Sequence, residues 1–270
     1  MKAKYVLWCA ILVILSSCNW GERNPTKPDI NTDTLAYTYK TLKERAADCG
    51  NKPDTGCSVA KIKYPVFAGQ IVLNDTVVKR TIMLFGANSP DKKPDTSLSQ
   101  YAANFIKGYQ NDKTLQDRPG MFYTLDLKVN ILRQDSSLTT IEFTGYEYRG
   151  GAHGGTVTSF VNWDTKANKN LSLSDVLTNG YNEKLTAIAD TIFRKQEKLT
   201  PDQTLANDYF FKDNKFALND NFSITPLGIK FLYNQYEIKP YAAGQTTLFV
   251  PYTKIKPLIK PNTIITQYIK

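Results

Sequence analysis

The sequence holds one histidine, His153, in 270 residues. Metal centres built from several imidazoles are therefore excluded, as is any catalytic scheme that needs two of them. Long hydrophobic runs are also missing. The longest apolar stretch, Tyr5 to Leu15 (YVLWCAILVIL), has eleven residues, against the ~20 needed to cross a bilayer. Cysteine is scarce, at four residues, and acidic residues (25) trail basic ones (34), for a formal net charge of +9. No internal repeat is present, which removes solenoids and propellers. What remains is 41% hydrophobic, 12% aromatic and 22% charged, an ordinary globular composition long enough for one or two domains with a sizeable core.

The N-terminal segment is a processing signal rather than part of the fold. Lys2 and Lys4 precede the apolar run, and Leu15-Ser16-Ser17-Cys18 closes it. That closing tetrad resembles the bacterial lipobox, in which small residues admit the processing peptidase and the cysteine thiol takes a diacylglyceryl group. Residues 1–17 are read as a lipoprotein signal peptide, Cys18 as the lipidation site, and residues 18–33, rich in Pro, Asn, Thr and charge, as a tether. Two or three acyl chains hold a protein stably where one is marginal. The expected partner is thus a membrane reached through lipid, in the bacterial envelope and outside the cytoplasm. Outer or inner membrane, and periplasm or cell surface, stay open. Loss of Lys2 and Lys4 lowers the net charge to +7, which favours anionic envelope polymers. The location excludes nucleic acid.

Cys9 falls in the signal and Cys18 carries lipid, which leaves Cys49 and Cys57 in the loop DCGNKPDTGC. An oxidising address and an even remainder predict a Cys49–Cys57 disulfide. A metal site would need two more soft ligands, and a redox pair normally has two intervening residues.

Alternation predicts strands over residues 34–45 and 59–67, the second ending near Pro65. Residues 71–85 approximate helical spacing, and Ser97 can cap a helix carrying Tyr101, Phe105 and Tyr109. From Met121 to Ile131 every odd residue is apolar or aromatic, the clearest strand in the chain. Strands at 138–148, with a bulge expected near Gly145, and at 156–164 complete a meander. A helix follows, started by Ser174 or Asn179, with Leu185, Ala189 and Phe193 on its inner stripe. A hairpin about Thr225-Pro226-Leu227-Gly228 and a last strand at 246–252 close the pattern. The fold class is α+β: an antiparallel meander packed by a few helices, with a smaller disulfide-stapled N-terminal α+β part at 34–118 and a second domain at 119–270.

Three ordered pieces carry a family resemblance. They are Tyr148-Arg149-Gly150-Gly151-Ala152-His153-Gly154, then Asn162-Trp163-Asp164 with Leu173-Ser174-Asp175-Val176-Leu177, then Asn221 to Phe231 running on to Tyr236-Glu237-Ile238 and Pro240-Tyr241-Ala242-Ala243-Gly244. The set resembles the RsiV-like domain, shared by lysozyme-sensing anti-sigma factors and some peptidoglycan deacetylases, over about residues 120–255. The resemblance implies an extracytoplasmic binding role, with lysozyme as ligand in some members. Without a recognisable cytoplasmic segment or catalytic domain, neither a sigma factor partner nor enzymatic activity is expected.

The Gly-rich loop supplies the candidate ligand-binding residues Tyr148, Arg149, Gly151, His153 and Gly154. Its glycines either serve a tight strand connection bridged by the imidazole, or let a ligand or a general base approach. Glu142, Glu147 and Asp164 raise a two-carboxylate hydrolase reading. The expectation is a lipid-anchored binding protein for lysozyme-like muramidases or peptidoglycan and anionic glycan fragments, with no cofactor, no metal and no catalytic residue. The alternatives are an envelope carbohydrate hydrolase using His153 with a carboxylate, and a structural subunit of the envelope.

Overall fold

The computed structural model describes residues 35–85, 95–114 and 120–269. The signal peptide, the tether and Cys18 lie outside them.

Strand β1 (Tyr37–Arg45) leads through a tight loop into β2 (Val59–Phe67). Cys49 and Cys57 are bonded across that loop, both sulfurs buried, with Cα atoms 5.4 Å apart. Helices α1 (Ile71–Ile82) and α2 (Leu98–Gln110) then cross over to β3 (Tyr123–Asp135), which continues into β4 (Leu138–Arg149), β5 (Gly155–Asp164) and the short β6 (Lys169–Asn170). These six strands form one sheet in chain order, antiparallel except for the parallel β2–β3 pair. Helices suit that crossover because parallel neighbours need a long connection.

Local chemistry explains most of these elements. In β3, Leu125, Leu127 and Val129 are fully buried while Lys128 between them is exposed. The Ser97 hydroxyl accepts from the Gln100 amide and starts α2. Leu73 and Val77 of α1, with Ala102 and Phe105 of α2, close over Ile62, Leu125, Leu127, Ile141 and Phe143 as the first core. Strand β2 runs past Pro65 because its pairing with β3 ends at Lys63, so the missing N–H leaves no ladder position empty. The bulge expected near Gly145 lies instead on β3, between Ile131 and Arg133. Gly145 keeps the inward phase of Ile141 and Phe143. Its absent side chain is replaced by Phe85, Leu84 and Leu127, which a Cβ there would meet at 2.6–2.7 Å. Tyr146 and Tyr148 occupy the other face.

The second half holds α3 (Leu173–Val176), α4 (Tyr181–Gln196), the strands β7 (Phe222–Ile224), β8 (Gly228–Tyr233) and β9 (Thr246–Pro251), and α5 (Tyr252–Ile255). The sheet order is β7-β8-β9, antiparallel. Ser172 rather than Ser174 caps α3: the Asp175 carboxylate accepts from the Ser172 amide and hydroxyl, both at 2.7 Å. Leu185, Ala189 and Phe193 of α4 are fully buried against this sheet and a cluster of Tyr209, Phe211 and Phe216.

Primary amides join the two sheets. Along the outer edge of β5, the backbone N–H groups of Thr156, Thr158, Phe160 and Asn162 donate to side-chain oxygens of Gln235, Asn234, Asn221 and Asn170. In return, Asn221 and Asn234 donate to the Thr158 carbonyl. Asn162 reaches across to β7, donating to the Phe222 carbonyl at 2.9 Å and accepting from the Ile224 amide at 2.8 Å. Side chains thus satisfy edge groups that a neighbouring strand would otherwise take.

Candidate functional site

The Gly-rich connection between β4 and β5 sits where the first sheet meets the second. Gly150 begins it at φ +70°, a left-handed conformation that glycine adopts without strain. Strand alternation separates the two residues before it. Arg149 faces α2, its guanidinium 4.7 Å from the Phe105 ring centre and its Nε 3.0 Å from Glu147. Burial alone would lower the Arg149 pKa; the hydrogen bond and charge of Glu147 outweigh burial and hold it above its usual value. Arg149 thus stands on the α2 side of the sheet, paired with Glu147 and exposed. Tyr148 faces the other way and donates to the Gly151 carbonyl at 3.1 Å, closing the loop on itself.

His153 leaves the loop towards the second half of the chain. Its ring stacks on Tyr241, with centroids 3.9 Å apart and planes 22° off parallel. Tyr236 stands 5.5 Å from Tyr241 and 6.3 Å from His153. The Gly154 carbonyl receives both the His153 Nδ1, at 3.0 Å, and the Tyr241 hydroxyl, at 2.9 Å. A carbonyl only accepts, so Nδ1 is the donor in this bond; Nε2 lies 3.5 Å from the Tyr236 hydroxyl. Gly154 is buried beneath Tyr146, and a Cβ there would lie 2.4 Å from that ring. His153 and Tyr236 are exposed, and Tyr146 is 39% exposed. The result is a set of flat rings with polar tips, open to solvent.

The structure therefore joins His153 and Gly154 in one cluster, bonds Tyr148 to Gly151 beside it, and turns Arg149 away. Sequence reading missed Tyr146, Tyr236 and Tyr241. The last two lie 83 and 88 residues beyond His153, and their one signal was membership of the ordered motif set. The three carboxylates are dispersed. Glu147 opposes Gly155 and Asp164 opposes Leu138, at opposite ends of the β4–β5 ladder, nine residues or roughly 30 Å apart. Glu142 faces away from Glu147, and Asp164 accepts from the Lys166 and Ala167 amides. No two of them form a catalytic pair, and no carboxylate bonds His153 among the described residues. Nor do the described residues contain a group of three or more His, Cys, Asp or Glu placed to hold a metal.

Residues 52–156 match the family model described as "Deacetylase PdaC", and residues 174–253 match "Protein of unknown function (DUF3298)". His153 lies at the end of the first match, and Tyr236 and Tyr241 lie in the second. A curated relative is the peptidoglycan-N-acetylmuramic acid deacetylase PdaC of Bacillus subtilis (strain 168), 24% identical over 181 residues. The aligned part is 64% of this chain but 38% of that relative. A solved DUF3298 family member from Bacteroides fragilis superposes with a TM-score of 0.70 at 24% identity, covering 88% of this chain and 99% of its own. Another, from Pseudomonas aeruginosa PAO1, gives 0.67 at 23% identity, over 86% and 97%. The fold is shared.

These matches fit an extracytoplasmic domain family related to the one the motifs resemble, in a cell-envelope protein related to a peptidoglycan deacetylase. They also correct one expectation. The sequence alone, with one histidine and no recognisable catalytic domain, predicts no enzymatic role. The family model and the relative are both deacetylases by description, so that exclusion does not stand. Among the described residues, no helix is long and apolar enough to cross a membrane.

Proposed function

We propose that this chain binds peptidoglycan glycan at the cell envelope and presents it for deacetylation, held at the membrane by lipid on Cys18. The supporting observation is the solvent-open stack of His153 on Tyr241 with Tyr236 beside it. Flat rings with polar edges suit the apolar face and the hydroxyl rim of a pyranose. The glycan reading is favoured by the match to a deacetylase of peptidoglycan, and the basic net charge favours an anionic polymer.

Calorimetric titration with N-acetylglucosamine oligomers and muropeptides tests this, with acetate release followed in the same samples. Tyr241→Ala removes a ring contact of about 1 kcal/mol and should weaken binding roughly fivefold to tenfold. Tyr241→Phe, which keeps the ring and loses the bond to Gly154, should weaken it less. Glycan binding that is unchanged in Tyr241→Ala and His153→Ala would refute the platform.

A further inference from the structure

A cleft of about 670 Å³ opens beside the platform, between the end of α1, the outer edge of β5 and the 219–222 and 234–237 segments. That volume lies within the range of small-molecule sites, roughly 300–1,000 Å³. Segment 234–237 serves both places: Asn234 and Glu237 line the cleft, while Tyr236 joins the aromatic platform.

The amides on the cleft floor are already committed. Asn221 accepts from Phe160 and donates to Thr158 and Leu232. Asn234 bonds Thr158 in both directions, and Asn219 donates to Leu232 and Glu237. The floor is therefore fixed before anything binds. Unspent capacity lies elsewhere. The Arg80 guanidinium, the Asp220 carboxylate, the Tyr181 and Ser159 hydroxyls and the Asn170 amide nitrogen line the cleft, and none has a hydrogen-bond or ion-pair partner among the described residues. Arg80 and Asp220 share the cleft without pairing. Asp220 is near enough to Tyr181 to add to burial in raising that hydroxyl's pKa.

We propose that this cleft binds a carboxylate-bearing saccharide, with Arg80 taking the carboxylate and Asp220, Tyr181, Ser159 and Asn170 taking ring hydroxyl and acetamido groups. A guanidinium matches a carboxylate through two parallel hydrogen bonds. A carboxylate acceptor such as Asp220 needs donors, which sugar hydroxyls supply. A neutral sugar would leave Arg80 without its counter-charge, and a simple anion would leave Asp220 without a donor. This inference rests on the glycan reading of the platform and adds the feature of the glycan that is selected.

The test titrates the purified protein with three probes: neutral chitobiose, the N-acetylglucosamine–N-acetylmuramic acid disaccharide with a free lactyl carboxylate, and a muropeptide carrying stem-peptide carboxylates. Arg80→Gln should weaken at least one carboxylated probe by about tenfold or more and leave chitobiose unchanged. The probe that loses more identifies the source of the carboxylate. Arg80 is exposed, so the variant should melt with the parent, and Asp220→Asn should weaken all three probes. Equal loss for charged and neutral probes, or no loss for any, overturns the carboxylate site while chitobiose binding lost in Tyr241→Ala leaves the platform standing. Failure of the parent protein to bind any of the three overturns both.

Discussion

Replacing Asn162 by Ala tests how the two sheets are held together. The Asn162 side chain is 2% exposed and makes two hydrogen bonds to β7, to the Phe222 carbonyl and the Ile224 amide. Those β7 groups face away from β8, whose bonds to this hairpin use the alternate residues, as Leu232 to Asn221 and Thr225 to Gly228 show. Alanine leaves both groups buried and unpartnered. Each costs about 1–3 kcal/mol, so the variant should lose about 4 kcal/mol. Urea unfolding followed by Trp163, buried at the neighbouring position, should then show a midpoint lower by about 1.5 M, for a slope of about 2–3 kcal/mol per molar. Asn162→Asp keeps an acceptor for Ile224 but sets a carboxylate oxygen against the Phe222 carbonyl, and should fare no better. A loss below about 1 kcal/mol in Asn162→Ala would refute the idea that this amide takes the place of a strand.

Two further outcomes are expected. Replacing Cys49 and Cys57 together by Ser opens a nine-residue ring and should cost about 2.5 kcal/mol in the chain-entropy model; equal melting temperatures of variant and parent would show the staple to be idle. At Asp175, burial raises the pKa, but bonds from Lys169 and from the amide and hydroxyl of Ser172 outweigh it and bring it to about 2. A lowered pKa gives stability that is present above about pH 4 and lost as pH falls towards about 2. The melting-temperature gap between parent and Asp175→Asn should therefore narrow from about pH 5 to about pH 2.5, and a gap independent of pH would contradict the assignment.

Much of the fold was legible because two-residue and 3.6-residue periods report which side of an element is buried. The β3 alternation, the Ser97 cap, the α4 stripe of Leu185, Ala189 and Phe193 and the cysteine pair were all readable in this way. Periodicity does not report which element is the neighbour. The parallel pairing of β2 with β3 spans about sixty residues of chain, and nothing in either strand's pattern announces it. Tyr146 and Tyr148 mimic a change of phase because they are aromatic, although their face is the open one. Asn162 and Asn221 stood out only as members of a motif, and their role as joints depends on edges brought together from distant segments. The aromatic platform was hidden for the same reason, with His153 read alone and its two tyrosines more than eighty residues away.

The seam of amides has a chemical consequence for how the protein responds to its medium. Carboxamides carry no formal charge and neither gain nor lose protons across the range of pH that carboxylates and imidazoles sense. Counter-ions have no charge there to screen. Acid or brine that loosens the ion pairs at Lys169–Asp175 or Lys239–Glu197 leaves the joint between β5 and β7 untouched. The Asn162 bonds between β5 and β7 should therefore respond less to pH and salt than the contacts that carry charge, such as those that Glu237 makes with Asn219 and Asn234.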